Sequence, residues 1–151
     1  TYGPRQSGRA IIPTIISQII TGKKNIELGS LSPTRDLTYV LDTCQGFIDI
    51  YNSDSLFGEV TNIGMNQEIS IGELAQLIAE LIDTEINVGT SEKRVRPDNS
   101  EVEQLLCDNS KLLKHTIWKP NYTLQQGLIE IIEWMKNPEH LALYKPEIYN
   151  V

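Results

Sequence analysis

Ser70-Ile-Gly-Glu-Leu-Ala-Gln-Leu-Ile-Ala-Glu-Leu-Ile-Asp-Thr-Glu-Ile-Asn-Val88 carries the most legible local structure in the chain. Ser70 and Glu73 have capping-box spacing: the hydroxyl takes the N–H three residues on, and the carboxylate returns to the cap's own N–H. Leu74, Leu77, Ile78, Leu81 and Ile82 then line one helical face. Ile86-Asn-Val88 reads as a short strand, as does Glu59-Val-Thr-Asn-Ile-Gly64 upstream. Strand, helix, strand is the pattern of a mixed α/β fold.

The same pattern extends outward. Ile12, Ile15, Ile16, Ile19 and Ile20 form a helical stripe, with Pro13 in its first turn and Gly22 as its stop. Ile26-Glu-Leu28 is a predicted strand, and Leu37–Val40 another. A helix is expected from Asp42 to Tyr51, with Val40, Cys44, Phe47, Ile48 and Tyr51 on one face. Glu103–Cys107 reads as a strand, with Asp108 capping a helix over Ser110–His115. Thr123 and Gln126 form a second capping box, followed by Leu124, Leu128, Ile131, Ile132 and Met135 on one face. Trp118 and Trp134 are expected packing anchors, and the tail from Tyr144 to Val151 an ordered extension.

Composition narrows the class. A 151-residue chain is long enough for its own core, and 40% hydrophobic with 22% charged residues excludes a disordered chain. The net charge of −7 argues against nucleic-acid binding, which needs a basic face. No apolar run reaches membrane-spanning length, and no membrane partner is expected. Cys44 and Cys107 read as reduced core thiols, consistent with a cytoplasmic protein. His115 and His140 lack metal-ligand spacing, so no metal is expected.

The densest chemistry lies in Arg94-Val-Arg-Pro-Asp-Asn-Ser-Glu101. Arginine presents a planar fork of donors that matches phosphate oxygens, and a nearby carboxylate can accept from sugar hydroxyls. These residues suit a clamp on a phosphorylated sugar or nucleotide; on their own they fit an exposed charged loop equally well.

The order of motifs is more specific than any one of them. Tyr2-Gly-Pro-Arg-Gln6, Ile12-Pro13, Leu28-Gly29, Arg35-Asp36-x-x-Tyr39-Val40-x-Asp42, Asn62-Ile-Gly64, Glu73-Leu74, Arg96-Pro97, Asp108-x-Ser110-Lys111, Trp118-x-Pro120, Gly127-Leu128 and Trp134 follow in series. The series resembles the C-terminal half of an extended short-chain dehydrogenase/reductase, in the nucleotide-sugar epimerase and 4,6-dehydratase subgroup. Arg96–Val102 and Ile148–Val151 look most like dehydratases acting on UDP-N-acetylglucosamine in bacterial surface-glycan synthesis.

The resemblance implies the following. The fold is α/β, the substrate-binding portion of a Rossmann-type enzyme, over residues 1–151. Arg35 and Arg96 reach the substrate diphosphate, with Arg94 even between contact and solvent. Glu101 accepts from the ribose, and Asn62 contacts the nucleotide or braces its loops. Leu28 lies on the strand beside the base, and Arg9 lies near phosphate or sugar. No glycine-rich dinucleotide loop and no YxxxK pair stands in the chain, and it opens on Thr1 with no Met. The chain therefore reads as a portion of a longer protein. NAD would be bound by the other half, this portion alone would be inactive, and the parent would be a homodimer. A 4-epimerase and a non-catalytic nucleotide-sugar-binding module are the alternative readings.

Overall fold

A computed structural model describes residues 1–91 and 102–144. Helices are α1 (Ile11–Ile20), α2 (Val40–Tyr51), α3 (Ile71–Leu81), α4 (Ser110–His115), α5 (Leu124–Lys136) and α6 (Pro138–Leu141). Strands are β1 (Asn25–Leu28), β2 (Thr34–Arg35), β3 (Ile69–Ser70), β4 (Asn87–Thr90) and β5 (Gln104–Leu105). β1 and β4 pair in parallel, with Ile26 opposite Val88. β2 is the middle of a second small sheet, antiparallel to β3 and parallel to β5.

α1, α3 and α5 pack on one another and on β1. Ile12, Ile15, Ile16 and Ile19 meet Leu74 and Ile78, Leu128, Ile131, Ile132 and Met135, and Ile26 and Leu28, all buried. Burying each such side chain contributes roughly 1.5–3 kcal/mol before entropy is counted. Both predicted capping boxes form. Ser70 Oγ accepts from Glu73 N at 3.2 Å, and Thr123 Oγ1 accepts from Gln126 N at 3.2 Å. Gly22 takes φ +88°, which only glycine adopts without cost, and ends α1.

Asp42 ties the second half of the chain to the first. Its carboxylate is fully buried in the first turn of α2 and accepts from Asn121 N at 2.8 Å and Tyr122 N at 3.1 Å. Its main-chain carbonyl accepts from Trp118 Nε1 at 2.9 Å, so Trp118 is a hydrogen-bonded anchor. Trp134 is half-buried and stacks on His140 with centroids 4.2 Å apart.

Tyr2 is a second tie: its buried phenol donates to Leu124 O at 3.1 Å. Burial raises its pKa above the usual phenol value, with Tyr39 and Asp42 adding to the shift. A raised folded pKa gives stability that is present below the unfolded value of about 10 and is lost as pH rises above it. Tyr2→Phe is expected to be less stable at neutral pH, with a shallower loss above about pH 10 in denaturant titrations. Parallel pH profiles for the two proteins would overturn this assignment.

Several expectations are corrected. Leu37–Val40 is not a strand; β2 lies earlier, at Thr34–Arg35, and only Tyr39 bridges to Tyr2. The predicted Glu103–Cys107 strand is limited to Gln104–Leu105. Glu59–Gly64 forms no strand, because no described strand lies beside it to complete a ladder. Asp108 does not cap α4; Asn109 holds that position, although Asp108 Oδ1 accepts from Ser110 N at 2.9 Å. Neither cysteine is core: Cys44 is exposed and Cys107 half-buried, and both are free thiols.

The apolar stripe of α2 points outward. Phe47 is 65% exposed, Ile48 52% and Tyr51 77%, while the buried positions of α2 are Asp42, Gly46 and Asp49. Gly46 lies against Ile63, leaving no room there for a side chain. Exposed apolar faces promote association. The paired substitution Phe47→Lys and Tyr51→Lys is expected to reduce concentration-dependent association in sedimentation velocity and to leave thermal stability nearly unchanged. Unchanged association would sink that reading.

Candidate functional site

β2 positions Arg35. Nη1 of its guanidinium donates to Thr34 O at 2.7 Å and to Val102 O at 2.8 Å. Val102 directly follows Glu101, so Arg35 grips the chain where the Arg94–Glu101 stretch ends. Arg94, Arg96 and Glu101 themselves lie outside the described residues. Beside Arg35, Glu68 accepts from Thr34 Oγ1 at 2.7 Å and from Gln104 Nε2 at 2.8 Å. These bonds hold its carboxyl below the usual glutamate range. Glu68 thus laces the edges of all three strands of this sheet.

Arg35 opens onto a groove of about 1210 Å³. Its walls come from Leu31, Leu37, Met65, Gln67, Glu68 and Ile69, one face of α3 and the segment Pro120–Gln125. Tyr122, Leu124, Leu77 and Val88 give it an apolar side; Gln67, Gln76 and Asn121 give it amides. Among its described lining residues Arg35 is the one cation, and Glu68, Glu73 and Glu80 are its carboxylates. An anionic group would therefore sit at the Arg35 end.

Asn62 lies elsewhere. It is exposed, donates to Asp108 O at 3.4 Å, and lines a second cleft of about 620 Å³ with Asp36, Thr38, Thr43, Thr61 and Cys107. The two clefts share no lining residue. The Asn62 bond to Asp108 O reaches the loop before α4. The Leu28 side chain is buried in the core, and its carbonyl accepts from Ser91 N at 2.8 Å. Arg9 is exposed and lines neither cleft.

The sequence reading missed Asn66 and Asp36. Asn66 stands between the groove residues Met65 and Gln67 with φ +54°, a conformation asparagine tolerates better than most residues. Asp36 accepts backbone N–H groups from two other segments. The signal for Asn66 was an asparagine in a short polar run before a strand; Asp36 had no signal beyond its neighbour Arg35.

At α2, α3 and α5 the helix start offers a pyrophosphate a poor site. The N-termini of α3 and α5 are occupied by their own capping boxes, and the first turn of α2 carries the buried carboxylate of Asp42. A pyrophosphate seeks open N–H groups at a helix start. Among the described residues no cluster of His, Cys, Asp and Glu could hold a metal ion, and no helix is long and apolar enough to cross a membrane.

The family described as GDP-mannose 4,6 dehydratase matches residues 1–131. The UDP-N-acetyl-alpha-D-glucosaminuronate decarboxylase of Bacillus cytotoxicus is 31% identical over 144 residues, which are 92% of this chain and 44% of that protein. The dTDP-glucose 4,6-dehydratase of Bacillus anthracis, solved in complex with NAD, is 28% identical with a TM-score of 0.74, over 96% of this chain and 44% of that one. The UDP-glucuronic acid 4-epimerase of Bacillus cereus, solved with UDP-glucuronic acid and NAD, is 25% identical with a TM-score of 0.78, over 89% of this chain and 42% of that one. The chain thus spans less than half the length of each. A decarboxylase, a dehydratase and an epimerase all share this portion. With its mixed α/β fold matching theirs and a family match reaching from residue 1 to residue 131, the chain belongs to the GDP-mannose 4,6 dehydratase family of nucleotide-sugar dehydratases and epimerases.

Proposed function

We propose that this chain is the nucleotide-sugar-binding portion of an NAD-dependent 4,6-dehydratase whose substrate is UDP-N-acetylglucosamine. The observation that supports the grip in this reading is the bond from Arg35 to Val102 O, which ties one arginine to the residue after the stretch holding Arg94, Arg96 and Glu101; the reaction and the sugar rest on the resemblance of the motifs. Arg35 and Arg96 grip the diphosphate from two sides, Arg94 adds charge, and Glu101 accepts from the ribose. NAD, held outside this chain, supplies hydride acceptance and return at the sugar. The residues here bind and orient: binding energy from the remote diphosphate holds the sugar ring in place for reaction. The 4-epimerase reading keeps the same grip and is favoured by the likeness to the Bacillus cereus epimerase.

Isothermal titration with UDP-N-acetylglucosamine, UDP-glucose, dTDP-glucose and GDP-mannose tests the assignment. UDP-N-acetylglucosamine is expected to bind most tightly, and Arg96→Ala to weaken it about tenfold or more, as loss of a charge-assisted bond does. Preference for a guanine nucleotide would overturn the base; no loss in Arg96→Ala would overturn the grip. Incubated with NAD and UDP-N-acetylglucosamine, the chain alone is expected to form no 4-keto product.

A further inference from the structure

Asp36 follows Arg35 and faces the opposite way, into the smaller cleft. Its backbone N–H donates to Leu105 O at 2.8 Å. Its carboxylate then joins the exit of β5 to one further segment. Oδ1 accepts from Met65 N at 2.8 Å, and Oδ2 accepts from Cys107 N at 3.2 Å. One residue thus fixes the exit of β5 and the start of the 65–68 turn to the strand that carries Arg35. Packing leaves this junction no slack. A Cβ on Gly64 would run into the Cys107 side chain and stand 3.3 Å from Asp36 Oδ2. The 65–68 turn matters because Met65, Gln67 and Glu68 line the groove beside Arg35, and Asn66 within it is held at φ +54°.

We infer that Asp36 is a positioning residue for nucleotide-sugar binding: it sets the 65–68 turn and the exit of β5 in register with Arg35. This rests on the reading of Arg35 as a diphosphate ligand. A carboxylate suits the task because both oxygens accept, so two N–H groups from separate segments are met by one rigid group. An amide in its place turns an NH2 toward one of those N–H groups, which leaves one segment unheld.

The test uses UDP as the probe, with the full chain and its Asp36→Asn variant. Isothermal titration is expected to show UDP binding weakened about tenfold or more, since displacing a contact group by about an ångström can cost a hundredfold. The core variant Ile16→Val, remote from both clefts, supplies the comparison: it is expected to lower thermal stability without moving UDP affinity. A second readout is independent of nucleotide. In a Cys44→Ser background the remaining thiol is Cys107, whose pKa is raised by burial and by Asp36. Asp36→Asn is expected to speed its reaction with a disulfide reagent severalfold more than Asp108→Asn does, since each removes a charge that raises the thiol's pKa and only Asp36 holds the Cys107 N–H. Should Asp36→Asn not fold, Asp36→Ser, which keeps one acceptor, is read in the same way. UDP binding by Asp36→Asn that falls no further than in Ile16→Val overturns the proposal while leaving the grip by Arg35 standing. Failure of the unmodified chain to bind UDP overturns the underlying reading and the role of Asp36 with it.

Discussion

Arg35→Ala is expected to weaken UDP binding by roughly ten- to a hundredfold, the largest loss of any single substitution in the described residues. The magnitude follows from the bonds removed: hydrogen bonds to charged groups are worth about 1.5–3 kcal/mol, and about 1.4 kcal/mol is a factor of ten. Two losses combine in one side chain. The charge that the proposed grip sets opposite the diphosphate goes, and so does the bond to Val102 O at the end of the Arg94–Glu101 stretch. Arg35→Lys separates them. Lysine keeps the charge but lacks the planar fork, so it cannot hold two carbonyls from one nitrogen and still present a flat face. It is expected to recover only part of the affinity and to show a steeper dependence on salt, as a point charge does. Titration calorimetry at two ionic strengths reads both effects. Full affinity in Arg35→Ala would remove Arg35 from the site.

Gly127→Ala is expected to lower the melting temperature by about 4–8 °C. Gly127 lies in the first turns of α5, where alanine is the better helix former by about 1 kcal/mol. Packing decides against it. A Cβ there would collide with the Tyr2 hydroxyl and stand 2.9 Å from Tyr2 Cζ and 2.9 Å from the Tyr39 ring. Neither ring can yield easily. Tyr2 is bonded to Leu124 O, its centroid lies 5.6 Å from that of Tyr39, and Tyr39 packs 4.5 Å from Tyr122. Overpacking a core typically costs about 1–3 kcal/mol and occasionally more; with two rings in the way the cost stands at the upper end, and the helix gain of about 1 kcal/mol leaves a net loss of about 2 kcal/mol. The double variant with Tyr2→Phe is expected to recover part of it, because the phenol oxygen is the nearest obstacle. An unchanged or raised melting temperature would show that the rings move aside.

Sequence reaches Arg35 and Gly127 to different depths. Arg35 was named from its motif and its chemistry, and the structure added the bond to Val102. Gly127 was quoted only as part of a motif; nothing in the sequence shows that Tyr2, 125 residues earlier, ends against its Cα. The stripe of α2 shows the opposite failure. Its spacing reads as a buried face, yet Phe47 and Tyr51 point outward while Asp42 is the residue fully enclosed. Periodicity finds the apolar side of a helix but is blind to which side has a neighbour.

The sequence by itself determined the local grammar. Both capping boxes, the glycine stop at Gly22, and the core faces of α1, α3 and α5 depend on residues within a few positions of one another. Short-range steric and hydrogen-bonding rules are therefore enough to read them. The order of motifs determined the family as well. Tertiary structure alone decided the rest: that Glu59–Gly64 has no described strand to pair with, that Asn62 and Arg35 serve separate clefts, and that the Asp36 carboxylate joins residues 29 and 71 positions away. Each of these is a long-range meeting of groups. Which partner a carboxylate or a strand edge finds is set by the packing of the whole chain, and no local spacing encodes it.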